Sequence, residues 1–229
     1  MIAWAVVFVF CLLLGLISRQ HQSNKAIHLF ALSAVCISLT LFVGTRVGVG
    51  TDYYSYLLAF QDFVLTGFDR NWEPGFVLLM STASTIGVGF HGLMVLSALT
   101  TYFPVGAAIY RDSADVFVSI LFLLGVGFVF FSTNAVRQAI AVAIVFFGLR
   151  YIWDGRFYRF TAAILAASLF HYTALVAFTA YLFRYGRISI AVWWVAAGLA
   201  LTLFVVQETR SILIEPIAFF GSVLGYGSY

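Results

Sequence analysis

Apolar residues in this chain come in long unbroken blocks, at 2–17, 26–44, 76–90, 93–110, 116–131, 139–153, 160–183 and 190–206, with most charged residues in the gaps between them. Such blocks lack the period-two alternation of barrel strands and predict helices. A single crossing of a membrane needs about 20 apolar residues, and several blocks are shorter. Two of them read as helices that enter and turn back: 76–90, with Ser81, Thr82, Ser84, Thr85 and Gly87 inside it, and 160–183, broken near His171. Broken helices at membrane depth are tolerated where they line a cavity. The one substantial polar stretch, 45–74, predicts a helix over 52–65 with Thr51 as its cap. Tyr53, Tyr56, Leu57, Phe60 and Val64 then share a face at helical spacing. Aromatic rings on such a helix suit the headgroup region, so the tyrosines read first as interfacial anchors. The pattern as a whole predicts an all-α, polytopic transmembrane bundle. It forms a single domain, 1–229, with short re-entrant helices and one interfacial amphipathic helix in an outer-face segment.

Composition removes the soluble alternative. The chain is 63% hydrophobic and 9% charged, with a mean hydropathy of +1.03, more apolar surface than a soluble domain of this size can bury. The net charge of +3 is spread over many loops and leaves no nucleic-acid footprint. No Lys or Arg precedes the first block and no small-x-small site follows it, so it reads as a span with its N-terminus outside. Arg19 and Lys25 then lie inside. If every block crosses, Arg46, Arg70, Arg111, Arg150, Arg156 and Arg159 fall outside and Arg137 falls inside, against the positive-inside rule. With 76–90 and 160–183 re-entrant, Arg111, Arg150, Arg156, Arg159, Arg184 and Arg187 join Arg19 and Lys25 inside. Arg137 then shares the outer face with Arg46 and Arg70. Nothing suggests an organelle signal, which points to a bacterial inner membrane. Cys11 and Cys36 sit in apolar blocks and read as small buried hydrophobes; a disulfide is the weaker reading.

Arg137 carries the most chemistry. A charge near membrane depth costs roughly 2.5–3.5 kcal/mol on insertion scales. Ser132, Thr133 and Asn134 are capping types, which puts Arg137 in the first turn of the next helix, where a cation opposes the helix dipole. An anion docked there relieves both costs and suggests a phosphate or pyrophosphate site. A snorkelling or ion-paired structural arginine is the other reading. His171 is the natural proton acceptor, or else a hydrogen-bonded interior histidine. Asp52 and Glu73, with the tyrosines, have the carboxylate and ring chemistry of a sugar site. The four histidines show no shared ligand spacing, so neither a metal nor a cofactor is expected. Gly48-Val49-Gly50 and Gly87-Val88-Gly89 follow no strand and read as turns or close helix packing.

Four motifs in order, Arg46-x-x-x-Gly50-Thr51-Asp52-Tyr53-x-x-Tyr56, Trp72-Glu73-Pro74-Gly75, Asn134-x-x-Arg137-Gln138-x-x-Ala141 and Phe170-His171-Tyr172-Thr173-Ala174, resemble the EpsG family of Wzy-like bacterial polysaccharide polymerases. The resemblance covers essentially the whole chain. It implies an enzyme that joins oligosaccharide repeat units carried on undecaprenyl pyrophosphate at the outer face of the inner membrane, with membrane lipids and other polysaccharide-assembly proteins as partners. Arg137, Gln138 and Arg46 would hold pyrophosphate, His171 or Asp52 would take the acceptor proton, and Glu73, Tyr53 and Tyr56 would hold sugar. Family members usually continue through more spans. Gly225-Tyr226-Gly227-Ser228-Tyr229 resembles the start of a later family motif, so a C-terminally truncated member is expected. A non-catalytic partner of an assembly machine and a small-solute transporter remain as alternatives. A transporter predicts internal repeats between halves, and the chain shows no clear pair.

Overall fold

The computed structural model describes residues 2–21, 24–67 and 72–185, with side chains described as far as Tyr181. The chain divides into two compact units, Met1–Tyr181 and Leu182–Tyr229, and the first of them is the helical bundle that carries the candidate site. The block at 190–206, Arg70, Arg187 and the tail 225–229 lie outside the described residues, as does the side chain of Arg184.

All regular structure among the described residues is helical. Helices α1 (Ile2–Gln20) and α2 (Lys25–Gly44) form a hairpin. Asn24 caps α2, its side-chain oxygen accepting from the N–H groups of Ala26 and Ile27. Then come α3 (Tyr53–Thr66), α4 (Pro74–Thr85), α5 (Gly89–Asp112), α6 (Val116–Gly125), α7 (Phe128–Asn134), α8 (Val136–Gly148), α9 (Arg150–Trp153) and α10 (Phe157–Ser168). A 3-10 helix, Tyr172–Tyr185, follows a break after α10, so the chain is interrupted beside His171 as the sequence suggests. By length and composition α1, α2, α5 and the α8–α9 run (Val136–Trp153) can each cross a membrane; α6 and α7 make a fifth if they are counted as one span bent by 48°.

Helix α5 lies between α2 on one side and α8 on another. Leu32, Val35, Leu39 and Val43 of α2 meet Ala98, Tyr102, Val105 and Ile109 of α5, the three- and four-residue spacing of a single helix face. The two axes come close where α2 ends. A Cβ on Gly44 would stand 2.6 Å from the Cα of Val95. A second cluster joins Tyr53, Tyr56, Phe60 and Phe63 of α3 to Phe76 and Met80 of α4, Leu93 and Met94 of α5, and Val136 and Ile140 of α8. Helix α4, with 12 residues, is about 18 Å long. That is short of the ~30 Å hydrocarbon thickness.

Side-chain contacts sort the charges between the two ends of the bundle. At one end Arg19 pairs with Asp115 at 3.2 Å, the His28 ring lies 5.5 Å from that of Tyr110, and Arg111 donates to the Phe147 carbonyl at 2.8 Å. At the other, Arg46 reaches the Thr133 carbonyl and Glu73 meets Arg137. Residues 45–67 and 72–74 and Arg137 therefore share one end, the arrangement the charge count favours, while Arg111 and Arg150 share the other with Arg19.

Some expectations need correction. Block 116–131 is not one helix: it bends at Val126–Gly127, and α7 absorbs Ser132, Thr133 and Asn134 instead of leaving them as caps. The cap position of α3 is Asp52, not Thr51, and its side chain makes no capping bond. The buried stripe of α3 ends in Phe63, while Val64 is exposed. Its tyrosines Tyr53 and Tyr56 are buried against neighbouring helices, so they pack as core and do not serve as interfacial anchors. Cys11 and Cys36 are free thiols, the first fully buried.

The Gly44 contact generates a stability test. Gly44→Ala places a methyl against the backbone of α5, and overpacking of this kind costs about 1–3 kcal/mol. The thermal midpoint of the detergent-solubilised protein is expected to fall by several degrees; an unchanged midpoint would mean that the helices separate freely at Val95.

Candidate functional site

Pro74 occupies the first turn of α4, where its missing N–H is harmless. It holds the preceding residue extended, with φ −63° and ψ 144° at Glu73. One residue on, the Gly75 N–H donates to the Leu169 carbonyl at 2.7 Å. A Cβ at Gly75 would lie 2.8 Å from that oxygen, so only glycine admits the approach. The start of α4 is thereby docked on the break between α10 and the 3-10 helix. This docking brings Glu73 beside His171.

Glu73 is 5% exposed and uses both oxygens. Its Oε2 forms an ion pair with Nη1 of Arg137, and its Oε1 lies 3.1 Å from Nδ1 of His171. An ionised carboxylate only accepts. Nδ1 is then the donor, and a neutral imidazole keeps its lone pair on Nε2. The guanidinium carbon of Arg137 lies 4.3 Å from the Trp72 ring centroid, a cation–π contact. Trp72 in turn packs on Tyr56 and Phe76. Burial pushes the Tyr56 phenol up, and the neighbouring Arg137 opposes that rise. Arg137 is the second residue of α8, in its first turn as the sequence suggests, and Ala135 at the cap position has no side chain that can cap the helix. Its Nε is buried and without a partner among the described residues.

Arg46 is 8% exposed, and backbone carbonyls occupy its guanidinium. Nη1 donates to Val43 at 2.6 Å, Nε to Val49 at 3.1 Å and Nη2 to Thr133 at 2.9 Å. Burial lowers its pKa. Close by, Asn134 accepts from the Thr51 N–H at 2.7 Å and from its hydroxyl at 3.2 Å. Arg46 and Asn134 thus pin the loop after α2 to the α7–α8 junction that carries Arg137. Three of the five Arg46 N–H donors thus anchor this loop.

The remaining candidates divide. Asp52 is half-buried, accepts from the Thr51 hydroxyl at 3.1 Å, and is close enough to Tyr56 to raise its pKa. Tyr53 is buried against Phe90 and Tyr54. Tyr53, Tyr56 and Glu73 were expected to hold sugar; all three are buried, and both Glu73 oxygens are engaged. Gln138 is exposed, and with His171 it lines a cavity of about 310 Å³ along the outer face of α8. The rest of that wall is mostly apolar, including Val142, Val145, Phe146, Leu149 and Ala177. Among the described residues no three His, Cys, Asp or Glu side chains are grouped to hold a metal ion.

Sequence reasoning left Trp72, Gly75 and Asn134 out of the site. The signal was present: all three stand in the motifs that flank Glu73 and Arg137. It is legible only as spacing, because the partners of Gly75 and Asn134 are 94 and 83 residues away.

The family model described as "EpsG family" matches residues 29–229, a stretch that contains every residue of this site. No curated protein and no solved structure matches the chain.

Two stability measurements test the geometry. Arg137→Met strands a buried carboxylate and Glu73→Gln removes the partner of a guanidinium. Each is expected to cost about 1–3 kcal/mol, and the double variant to cost less than the sum by roughly 0.5–3 kcal/mol. Thermal unfolding of the four proteins in one detergent reads the coupling, and strict additivity would separate the two side chains. Arg46→Lys keeps the charge and loses the fork, leaving carbonyls unpaired at about 1–3 kcal/mol each. It is expected to lower the folded yield; a normal yield with lost activity would return Arg46 to ligand binding.

Proposed function

Because this chain belongs to the EpsG family, a family of Wzy-like polysaccharide polymerases, we propose that it joins oligosaccharide repeat units carried on undecaprenyl pyrophosphate in exopolysaccharide or surface-polysaccharide synthesis. The observation that carries this reading is the link Arg137–Glu73–His171, which sets a cation and a base side by side at one end of a membrane bundle.

In the proposed reaction an acceptor sugar hydroxyl attacks the anomeric carbon of the donor chain. A new glycosidic C–O bond forms, the C–O bond to pyrophosphate breaks, and the lipid pyrophosphate departs with the electron pair. His171 takes the hydroxyl proton on Nε2, the nitrogen left free when Nδ1 donates to Glu73. Glu73 fixes that tautomer and stabilises the imidazolium that forms, the part a buried carboxylate plays behind a general-base histidine. Arg137, whose side chain is 27% exposed, with the N–H groups at the start of α8, stabilises charge growing on the leaving group. Gln138 contacts the pyrophosphate from the next position. The apolar cavity along α8 takes the first isoprene units of the lipid, close to His171. Asp52 stands beside Tyr56 as the second proton acceptor to test. The basic end of the bundle faces the cytoplasm and the Arg137 end faces outward, following the charge bias, in a bacterial inner membrane.

The test is polymer formation from lipid-linked repeat units by membranes bearing each variant. Arg137→Lys keeps the charge without the bidentate fork and is expected to lower the rate at least about tenfold. His171→Gln keeps a hydrogen-bonding side chain without the base and is expected to stop elongation while lipid-linked repeat units still bind. Arg137→Ala at normal abundance with unaltered polymer length would overturn the assignment and leave Arg137 as a structural ion pair.

A further inference from the structure

At the end of the bundle opposite Arg137, four arginines converge on one cleft. Arg111, Arg150, Arg156 and Arg159 line a cavity of about 280 Å³ together with Tyr151 and Asp154. Two of the four are internally committed. Arg111 is paired with Asp112, donates to the Phe147 carbonyl and lies over the Phe147 and Tyr151 rings. Arg150 bonds Asp154 at 2.9 Å and Asp112 at 3.4 Å. Arg156 and Arg159 are exposed, and neither has a carboxylate partner among the described residues. Four guanidinium groups against two aspartates leave two positive charges on the cleft.

The surroundings say where this cleft sits. Trp153 is 77% exposed and Tyr158 86% exposed, on either side of the turn that carries Arg156. Exposed Trp and Tyr at the end of a membrane helix belong at headgroup depth, with the ring in the interface. A basic cleft at that depth, rimmed by aromatics and holding two cations to spare, matches a phosphodiester with an acyl chain beside it. A purely topological signal requires only that the charges lie on one side, and does not require them to share a cavity.

We propose that this cleft binds the headgroup phosphate of an anionic phospholipid, with Arg156 and Arg159 as the direct ligands. Arg111 and Arg150 shape the wall, held by Asp112 and Asp154, and Trp153 and Tyr158 flank the acyl chains. The site is separate from the chemistry at Arg137 and stands whether or not that chemistry is as proposed.

The experiment uses the full chain purified in mild detergent. Binding of phosphatidylglycerol and of phosphatidylcholine is followed by native mass spectrometry, with inorganic phosphate as a third arm read by thermal shift. Wild type is expected to prefer phosphatidylglycerol. At about 1 kcal/mol per basic side chain near a lipid surface, losing Arg156 or Arg159 should weaken that lipid roughly 5-fold, and losing both roughly 30-fold. Arg156→Gln and Arg159→Gln are surface changes, so each is read alone if the double variant accumulates poorly. Arg19→Gln, at the same end but paired with Asp115, should leave the preference unchanged. An equal loss in Arg19→Gln would reduce the effect to general surface charge. Stabilisation by inorganic phosphate matching that by phosphatidylglycerol would make the ligand a soluble anion. A preference that survives both glutamine substitutions would remove the site.

Discussion

The carboxylate of Glu73 is the point on which the candidate site depends. It is buried, and taking a carboxylate out of water costs several kcal/mol unless partners replace its solvation. Arg137 and His171 supply those partners, one on each oxygen. Three segments far apart in the chain are thereby tied together: the start of α4, the first turn of α8 and the break after α10. A free Arg137 at that helix start would face the positive end of the dipole unaided. Paired with Glu73 and laid over Trp72, it is held in place.

Around this link a second set of polar contacts sets the frame. The guanidinium of Arg46 closes the loop after α2 onto its own carbonyls and onto Thr133, and Asn134 receives Thr51. The two arginines have opposite fates for a physical reason. Arg46 lies where carbonyls converge at a helix C-terminus and a loop, which suits a cation with many donors. Arg137 lies at a helix N-terminus, where the free backbone groups are N–H donors and cannot satisfy it. The first arginine is therefore anchored on three carbonyls, and the second needs an anion from elsewhere. Glu73 meets that need in part, and in the proposed function a pyrophosphate meets the rest.

The bundle also separates its two ends by chemistry. One end gathers Arg137, Glu73, His171 and an adjoining apolar cavity. The other gathers Arg111, Arg150, Arg156 and Arg159 with exposed aromatic rings. A membrane maintains such a separation because charges cross the hydrocarbon at high cost. In the proposed function one end handles the lipid pyrophosphate, and the other engages the opposite leaflet.

Much of this was readable in the chain. Long apolar blocks without alternation dictate helices, because in lipid only helices and closed barrels satisfy the backbone. The charge bias alone was enough to put Arg137 with segment 45–74 and Arg111 with Arg150. The interruption near His171 and the place of Arg137 in a first turn also follow from local pattern. Other features depended on neighbours distant in sequence. Whether Tyr53 and Tyr56 face headgroups or a core is undetermined by helical spacing, since both surroundings accept an aromatic face; packing against α4, α5 and α8 decided it. Whether Glu73 holds a sugar or an arginine depends on the Gly75–Leu169 contact, which no local pattern encodes. Composition and periodicity report the solvent each residue prefers, and so determined the helices and their ends. Which charge meets which is a matter of long-range docking, and only the tertiary structure decided it.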